Sequence, residues 1–192
     1  MMPKNRLLIS ALVLALVQTG FLSWIIASRA AILRNGQEVL LKVEPVDPRD
    51  LLRGDYVRLG YDISAVPVEI VVNRPTDAAK ADFRSIYVRV KKGPDGFWYP
   101  ASASLEKVFA APPADGEVDL HGTVIYGVPE DGNIGVHYGI ERFYLPEGEG
   151  LAIERDMRVR SFGILAAVDK NGTPQIKALM DGETKLFSEP LY

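Results

Sequence analysis

Hydrophobic and polar positions follow two different patterns along the chain. Residues 7–27 form one apolar run without a charged side chain. As an α-helix with a rise of about 1.5 Å per residue, this run covers about 31 Å, which matches the hydrocarbon core of a bilayer. Beyond residue 34, apolar and polar positions alternate, which is typical of half-buried β-strands. The patterns predict a membrane anchor, residues 1–34 with a transmembrane helix at about 7–27, followed by a β-rich domain, residues 35–192.

A cleaved signal peptide is the alternative to a permanent anchor, because residues 28–30 (Ser-Arg-Ala) resemble a cleavage site. The apolar core of a signal peptide usually has about 7–15 residues, so the longer run favours an uncleaved signal anchor. Lys4 and Arg6 precede the run, whereas Arg29 and Arg34 follow it. The positive-inside rule then places the N-terminus in the cytoplasm by a small margin. We expect a single-pass protein of the cytoplasmic membrane with an extracytoplasmic, periplasmic domain.

The alternating region predicts seven or more strands. The predicted strands span residues 39–46, 56–64, 86–90, 97–109, 117–127, 134–140, 158–168 and 175–180. Asp-Gly or Asn-Gly pairs at 95–96, 131–132, 171–172 and 181–182 favour tight hairpin turns, because both residue types tolerate positive φ. A short linker over residues 30–37 and a helical turn over 151–157 complete the assignment. The result is a mostly β domain, predicted to be a compact antiparallel barrel or sandwich.

Composition narrows the possible functions. The chain has a formal net charge of −3, with 22 basic and 25 acidic residues. Four of the bases and none of the acids fall within residues 1–34, so the β-rich domain is clearly acidic. An acidic domain argues against nucleic-acid binding, which needs a basic face. The absence of cysteine excludes disulfides and thiolate zinc sites, and no nucleotide-binding motif predicts a cofactor.

Candidate chemistry is concentrated in residues 43–64, VEPVDPRDLLRGDYVRLGYDIS. On the predicted strand 56–64, alternation places Leu59 and Tyr61 on the apolar face and Tyr56 and Arg58 on the other. The residues before this strand suit a turn, because Gly and Asp favour turns, Pro restricts its neighbour and Asp caps helical turns. The predicted structural motif comprises Asp47, Pro48, Asp50, Gly54, Asp55, Leu59 and Tyr61. Either the segment is a rigid corner held by Arg–carboxylate pairs, or Arg53 and its neighbours bind a partner.

A second charged segment is YGIERFYLPEGEG, residues 138–150, which combines charge with aromatic area as binding surfaces often do. Alternatively, Phe143 belongs to the core, and Glu141 or Arg142 pairs with Arg53 or Asp50. That pairing is favoured, and it would bring both segments to one surface. The predicted binding residues are Arg53, Tyr56, Arg58, Glu141, Arg142 and Tyr144.

The run GDYVRLGY, residues 54–61, resembles the signature of the GDYXXLXY family of membrane-anchored proteins. The resemblance extends over most of the chain, since the N-terminal apolar segment, the run YGIERFYLPEG and a C-terminal hairpin with VDKNGTPQIKAL also fit. It implies an accessory or binding protein of the cell envelope that accompanies a multi-pass membrane protein. It supplies no catalytic residue, because the family has no assigned catalytic site.

Three other kinds of function would each require particular residues or a particular shape. An envelope hydrolase, or a degenerate relative with a signal-peptidase-like fold, would need a nucleophile, but aligning Gly54-Asp55 on the peptidase motif puts Val46 at the serine position. No metal site is expected. Arginines surround the acids of residues 47–55, and His121 and His137 lack a zinc-ligand spacing. A small-ligand sensor would need a concave pocket beside the binding residues.

Overall fold

The computed structural model describes residues 4–45, 56–75, 82–144 and 160–189. One helix, α1, spans Lys4–Asn35, and eleven strands follow in the described part of the chain. The strands are β1 Gln37–Pro45, β2 Tyr56–Tyr61, β3 Ala65–Pro67, β4 Ser85–Lys92, β5 Trp98–Leu105, β6 Glu117–Val124, β7 Asn133–His137, β8 Arg142–Tyr144, β9 Phe162–Val168, β10 Pro174–Asp181 and β11 Thr184–Ser188. Single turns of 3-10 helix lie at Asp62–Ser64 and Val68–Ile70.

The strands form two sheets. One sheet has six strands in the order β11-β10-β9-β1-β2-β8, and the other has five in the order β3-β7-β6-β4-β5. All pairs between these strands are antiparallel. The mostly β, antiparallel fold class predicted from alternation is therefore confirmed.

One hydrophobic core is shared by the two sheets. Leu41 and Leu59 come from the six-stranded sheet, and Ile86, Leu120 and Ile134 from the five-stranded sheet, all at most 2% exposed. Burial alternates along strands such as β4 and β6, as expected when one face of a sheet is covered and the other is wet. Each such buried side chain contributes about 1.5–3 kcal/mol, so the core is the main source of stability.

Helix α1 differs from the rest of the chain because its apolar surface is open. Side chains such as Leu8 and Leu16 are 70% and 65% exposed. The helix is long and apolar enough to cross a membrane, by the same criteria that a signal sequence satisfies. Close to its C-terminal end, Ala30 and Leu33 are buried, and the helix contacts β9 and β10.

The linker predicted over residues 30–37 is wrong, because α1 continues to Asn35 and β1 begins at Gln37. Gly36 makes the junction, and its N–H donates to the Ile32 carbonyl at 2.8 Å. A Cβ at this position would lie 2.6 Å from the Ile32 oxygen and 2.9 Å from the Val168 oxygen. Glycine therefore allows the helix to pass directly into the sheet.

Five predicted strands were too long. The strand predicted over 134–140 ends at His137, and the strand predicted over 158–168 begins at Phe162. The strand predicted over 56–64 ends at Tyr61, where the chain enters a 3-10 turn that still buries Ile63. The strand predicted over 97–109 ends at Leu105, because Glu106 has a φ of 58° and its carboxylate accepts the N–H groups of Arg84 and Ser85. The strand predicted over 117–127 ends at Val124. The helical turn predicted over 151–157 lies outside the described residues.

Candidate functional site

The two charged segments found in the sequence meet on neighbouring strands. β2 pairs with β8, with Tyr56 opposite Tyr144, Val57 opposite Phe143 and Arg58 opposite Arg142. The pairing continues beyond β8, because the Leu59 N–H donates to the Glu141 carbonyl at 3.0 Å. The predicted meeting of the two segments at one surface therefore holds for the described residues.

Alternation divides these strands into an outer and an inner face. Positions 58, 142 and 144 share the outer face, which we call the β2–β8 face. Arg58 and Arg142 are exposed, and Tyr144 is 68% exposed. Like charges directly opposite one another destabilise a sheet unless they have partners, and Arg142 does have an interaction partner.

The inner face belongs to the core. Leu59, Tyr61 and Phe143 are each 2% exposed. The predicted core role of Leu59 and Tyr61 is confirmed, and Phe143 is buried as the structural interpretation of its segment expected.

Two buried tyrosines link the segments in both directions. The Tyr61 hydroxyl donates to the Ile140 carbonyl at 2.5 Å, and the Tyr138 hydroxyl donates to the Ile63 carbonyl at 2.8 Å. Burial raises the pKa of both phenols, and the nearby Glu141 carboxylate raises it further. Both side chains therefore remain neutral hydrogen-bond donors at physiological pH. We call this reciprocal arrangement the tyrosine clamp.

Glu141 was predicted to bind a partner, and the structure gives it a local contact. Its carboxylate accepts the Tyr138 N–H at 2.5 Å and the Gly139 N–H at 3.0 Å. Gly139 has a φ of 81°, so the carboxylate stabilises a tight turn just before β8. Glu141 is half-buried, and its observed contacts stabilise the turn that precedes Arg142.

Carboxylates lie on β1 and beyond the end of β2. Glu44 is opposite Gly60, and Lys42 Nζ lies 3.4 Å from Asp62 Oδ2. The neighbouring Asp62 carboxyl is the largest cause that raises the pKa of Glu44, followed by burial. The β1–β2 part of the sheet thus carries Glu44 and Asp62, whereas the β2–β8 face carries Arg58 and Arg142.

Several predicted residues lie outside the described part of the chain. They are Asp47, Pro48, Asp50, Arg53, Gly54 and Asp55, and the side chain of Tyr56 is not described either. The turn expected at Gly54-Asp55 and the pairing of Glu141 or Arg142 with Arg53 or Asp50 therefore stay predictions.

The histidines do not form a pair. His137 lies opposite Thr123 in the β6–β7 register, two positions from His121. The His121 ring instead stacks against Tyr87, with the ring centroids 4.8 Å apart. Within residues 4–45, 56–75, 82–144 and 160–189, no group of three or more His, Asp or Glu side chains is arranged to hold a metal ion.

Comparison with known families decides the relationship that the motif suggested. A family model described as "GDYXXLXY protein" matches residues 18–179. The chain belongs to the GDYXXLXY family. No curated protein and no solved structure matches it.

The letters of the GDYXXLXY signature have separable roles in this chain. Its leucine, Leu59, fills the core, and its last tyrosine, Tyr61, donates one bond of the tyrosine clamp. The variable position occupied by Arg58 lies on the outer face. The reciprocal bond from Tyr138 was not predicted from the sequence. The available signal was that Tyr138 lies in the second charged segment, two residues before the Ile140 that accepts the bond from Tyr61.

Proposed function

We propose that this member of the GDYXXLXY family is a membrane-anchored accessory or binding protein of the cell envelope. α1 holds it in the cytoplasmic membrane as an uncleaved single-pass anchor, and the β domain lies outside the cytoplasm. The β2–β8 face contacts an acidic surface of a multi-pass membrane protein. The family match and the exposed apolar helix support this proposal.

The exposure of α1 is the main support for an anchor. From Leu7 to Trp24 its large apolar side chains are 54–70% exposed, so the β domain leaves them uncovered. Placing this surface in a bilayer removes it from water, with a gain of about 25 cal/mol per Å². Because only Gly36 separates α1 from β1, the anchor also keeps the β domain close to the membrane surface.

The β2–β8 face is the best candidate for the partner contact. Arginine and tyrosine are enriched among residues that contribute most to protein interfaces. Here Arg58, Arg142 and Tyr144 stand on one face, supported from beneath by the core and the tyrosine clamp. A rigid base reduces the conformational entropy lost on binding.

Co-purification from native membranes tests the proposal. The full chain, carrying a C-terminal tag and expressed at its native level, is solubilised with its partners in mild detergent. We expect the same multi-pass protein to be recovered with the wild type and with the control Lys91→Gln/Lys92→Gln, which changes two exposed lysines of β4. The matched variant Arg58→Gln/Arg142→Gln removes the same amount of charge and should lose the partner.

Recovery of the anchor protein alone from every sample would contradict an accessory role. Equal recovery of a partner with both double variants would leave the accessory role in place and move the contact away from the β2–β8 face. A thermal melt of each variant controls for damage to the fold.

The hydrolase alternative would require a serine hydroxyl activated by lysine or histidine. In the described part of the chain, serine hydroxyls donate to the carbonyls of Arg6 and Ile25 and to the Glu106 carboxylate, and none is hydrogen bonded to lysine or histidine. No observation therefore favours this function over the accessory role.

A further inference from the structure

A cavity lies where the C-terminal end of α1 meets β10 and β11. Its volume is about 380 Å³, within the range of about 300–1,000 Å³ typical of small-molecule sites. The lining residues are Leu33, Arg34, Lys177, Lys185, Ser188 and Glu189. Three of the six are basic, although the β domain as a whole is acidic.

The basic groups of this cavity are only partly neutralised. Lys177 Nζ lies 2.6 Å from Glu38 Oε1, so its charge is shared with that carboxylate. Arg34 and Lys185 form no ion pair within the described residues. The cavity therefore retains positive charge available to an anion.

Glu189 is the acidic group of the cavity, and its position is fixed by the backbone. The Glu189 N–H donates to the Lys177 carbonyl at 3.0 Å. Burial raises the pKa of the Glu189 carboxyl, while the charge of Arg29 opposes that shift. A carboxyl group with a raised pKa carries less negative charge at a given pH and therefore repels an anion less.

The cavity lies just beyond the level of the lipid headgroups, within reach of a long basic side chain. Leu33 lies six residues beyond the apolar run 7–27, about 9 Å along the helix axis. The headgroup region on each side of a bilayer extends about 5–8 Å beyond the hydrocarbon core. An arginine or lysine side chain at this depth reaches the phosphate layer, and basic groups there attract anionic lipids.

We propose that this cavity binds the phosphate of an anionic phospholipid headgroup, held by Arg34, Lys177 and Lys185. The inference rests on the proposal that α1 spans the membrane, because the helix is what brings the cavity to the phosphate layer. The Ser188 hydroxyl supplies a further polar group to the lining. Bound lipid would then fix the orientation of the β domain on the membrane surface.

Native mass spectrometry of the full chain, released from nanodiscs, tests this assignment. The discs contain either phosphatidylcholine alone or phosphatidylcholine with phosphatidylglycerol. We expect one retained phosphatidylglycerol in the wild type and in the control Lys91→Gln/Lys92→Gln. The variant Lys177→Gln/Lys185→Gln should weaken retention roughly tenfold or more, as expected for removing two lysines near a phosphate. Its lost contact with Glu38 is an exposed pair that adds little stability.

Four outcomes overturn the inference. Equal retention of phosphatidylglycerol by both double variants excludes the cavity as the site. Displacement of the lipid by inorganic phosphate at matched concentration shows a site for free phosphate instead. Release of the wild type from membranes by carbonate extraction would show that α1 is not a membrane anchor, and the cavity would then not lie beside lipid phosphates. If the wild type stays in the membrane but does not retain phosphatidylglycerol in preference to phosphatidylcholine, the lipid site is contradicted and the proposed anchor is not.

Glu189→Gln provides a test in the opposite direction. It removes a carboxylate from the cavity and should leave phosphatidylglycerol retention unchanged or stronger. A fall as large as that caused by Lys177→Gln/Lys185→Gln, in a variant with an unchanged melting temperature, would contradict binding of an anion.

Discussion

Tyr61→Phe tests whether the last tyrosine of the GDYXXLXY signature stabilises the fold through its hydroxyl group. The substitution keeps the buried ring and removes the hydroxyl that donates to the Ile140 carbonyl at 2.5 Å. Ile140 is 4% exposed, so water cannot readily replace the lost donor. A buried acceptor left without its partner costs about 1–3 kcal/mol. For a domain of this size, the expected fall in Tm is roughly 3–10 °C.

Thermal and urea unfolding of the full chain in detergent, followed by near-ultraviolet circular dichroism, measures this loss. Tyr126→Phe is the matched control, because Tyr126 is 92% exposed. Tyr138→Phe should cost a similar amount, since it removes the reciprocal bond to the Ile63 carbonyl. If the two bonds stabilise one another, the double variant will show a coupling energy of about 0.5–3 kcal/mol. A Tyr61→Phe variant as stable as Tyr126→Phe would refute the tyrosine clamp.

Three further predictions follow from local geometry. Gly172→Ala should destabilise the protein by about 1–3 kcal/mol more than Gly132→Ala in urea unfolding. Both glycines have positive φ, but a Cβ at Gly172 would lie 2.9 Å from the backbone nitrogen of His121, whereas a Cβ at Gly132 would meet open space. Because the folded-state pKa of both clamp tyrosines is raised, their contribution to stability is complete below about pH 10 and is lost as pH rises above it. Melts recorded above about pH 10 should therefore show a smaller fall in Tm with pH when both residues are phenylalanine. The raised pKa of Glu44 means that its protonated carboxyl contributes stability below about pH 4.5, and this contribution is lost as pH rises. Glu44→Gln should therefore keep or raise stability near pH 7, by at most about 1 kcal/mol, and flatten the pH dependence of melts recorded above about pH 4.5.

The sequence predicted the parts of the fold that depend on short-range patterning. Leu59 and Tyr61 were assigned to the core because side chains alternate along a strand, and both are 2% exposed. The Asn171-Gly172 pair marked the turn between β9 and β10, where Gly172 has a φ of 85°. Such features depend on local backbone preferences, which single residues report directly.

Other parts depended on contacts between distant residues. β11 was missed because its residues are exposed almost throughout, so burial imposes no alternation on its sequence. The end of β5 was misplaced because Glu106 caps the backbone of Arg84 and Ser85, more than twenty residues away in sequence. The spacing of apolar residues along the sequence does not predict such a contact.

The candidate site was predicted in the same uneven way. The meeting of the two charged segments was expected from their composition, and β2 and β8 do pair. The local task of Glu141 was not expected, because its carboxylate contacts backbone N–H groups that any sequence would provide. The basic cavity was also not expected, since Arg34 and Lys185 are far apart in sequence and meet only where α1 packs beside β10 and β11.

Site-specific photo-crosslinking in native membranes tests the accessory role and its contact surface most directly. A benzophenone amino acid replaces Tyr144 on the β2–β8 face or, as a matched control, the exposed Tyr126 on the loop after β6. We expect a crosslink from position 144 to one multi-pass membrane protein, absent at position 126 and lost with Arg58→Gln. Equal crosslinking from both positions, or no crosslink from position 144 in intact membranes, would contradict it.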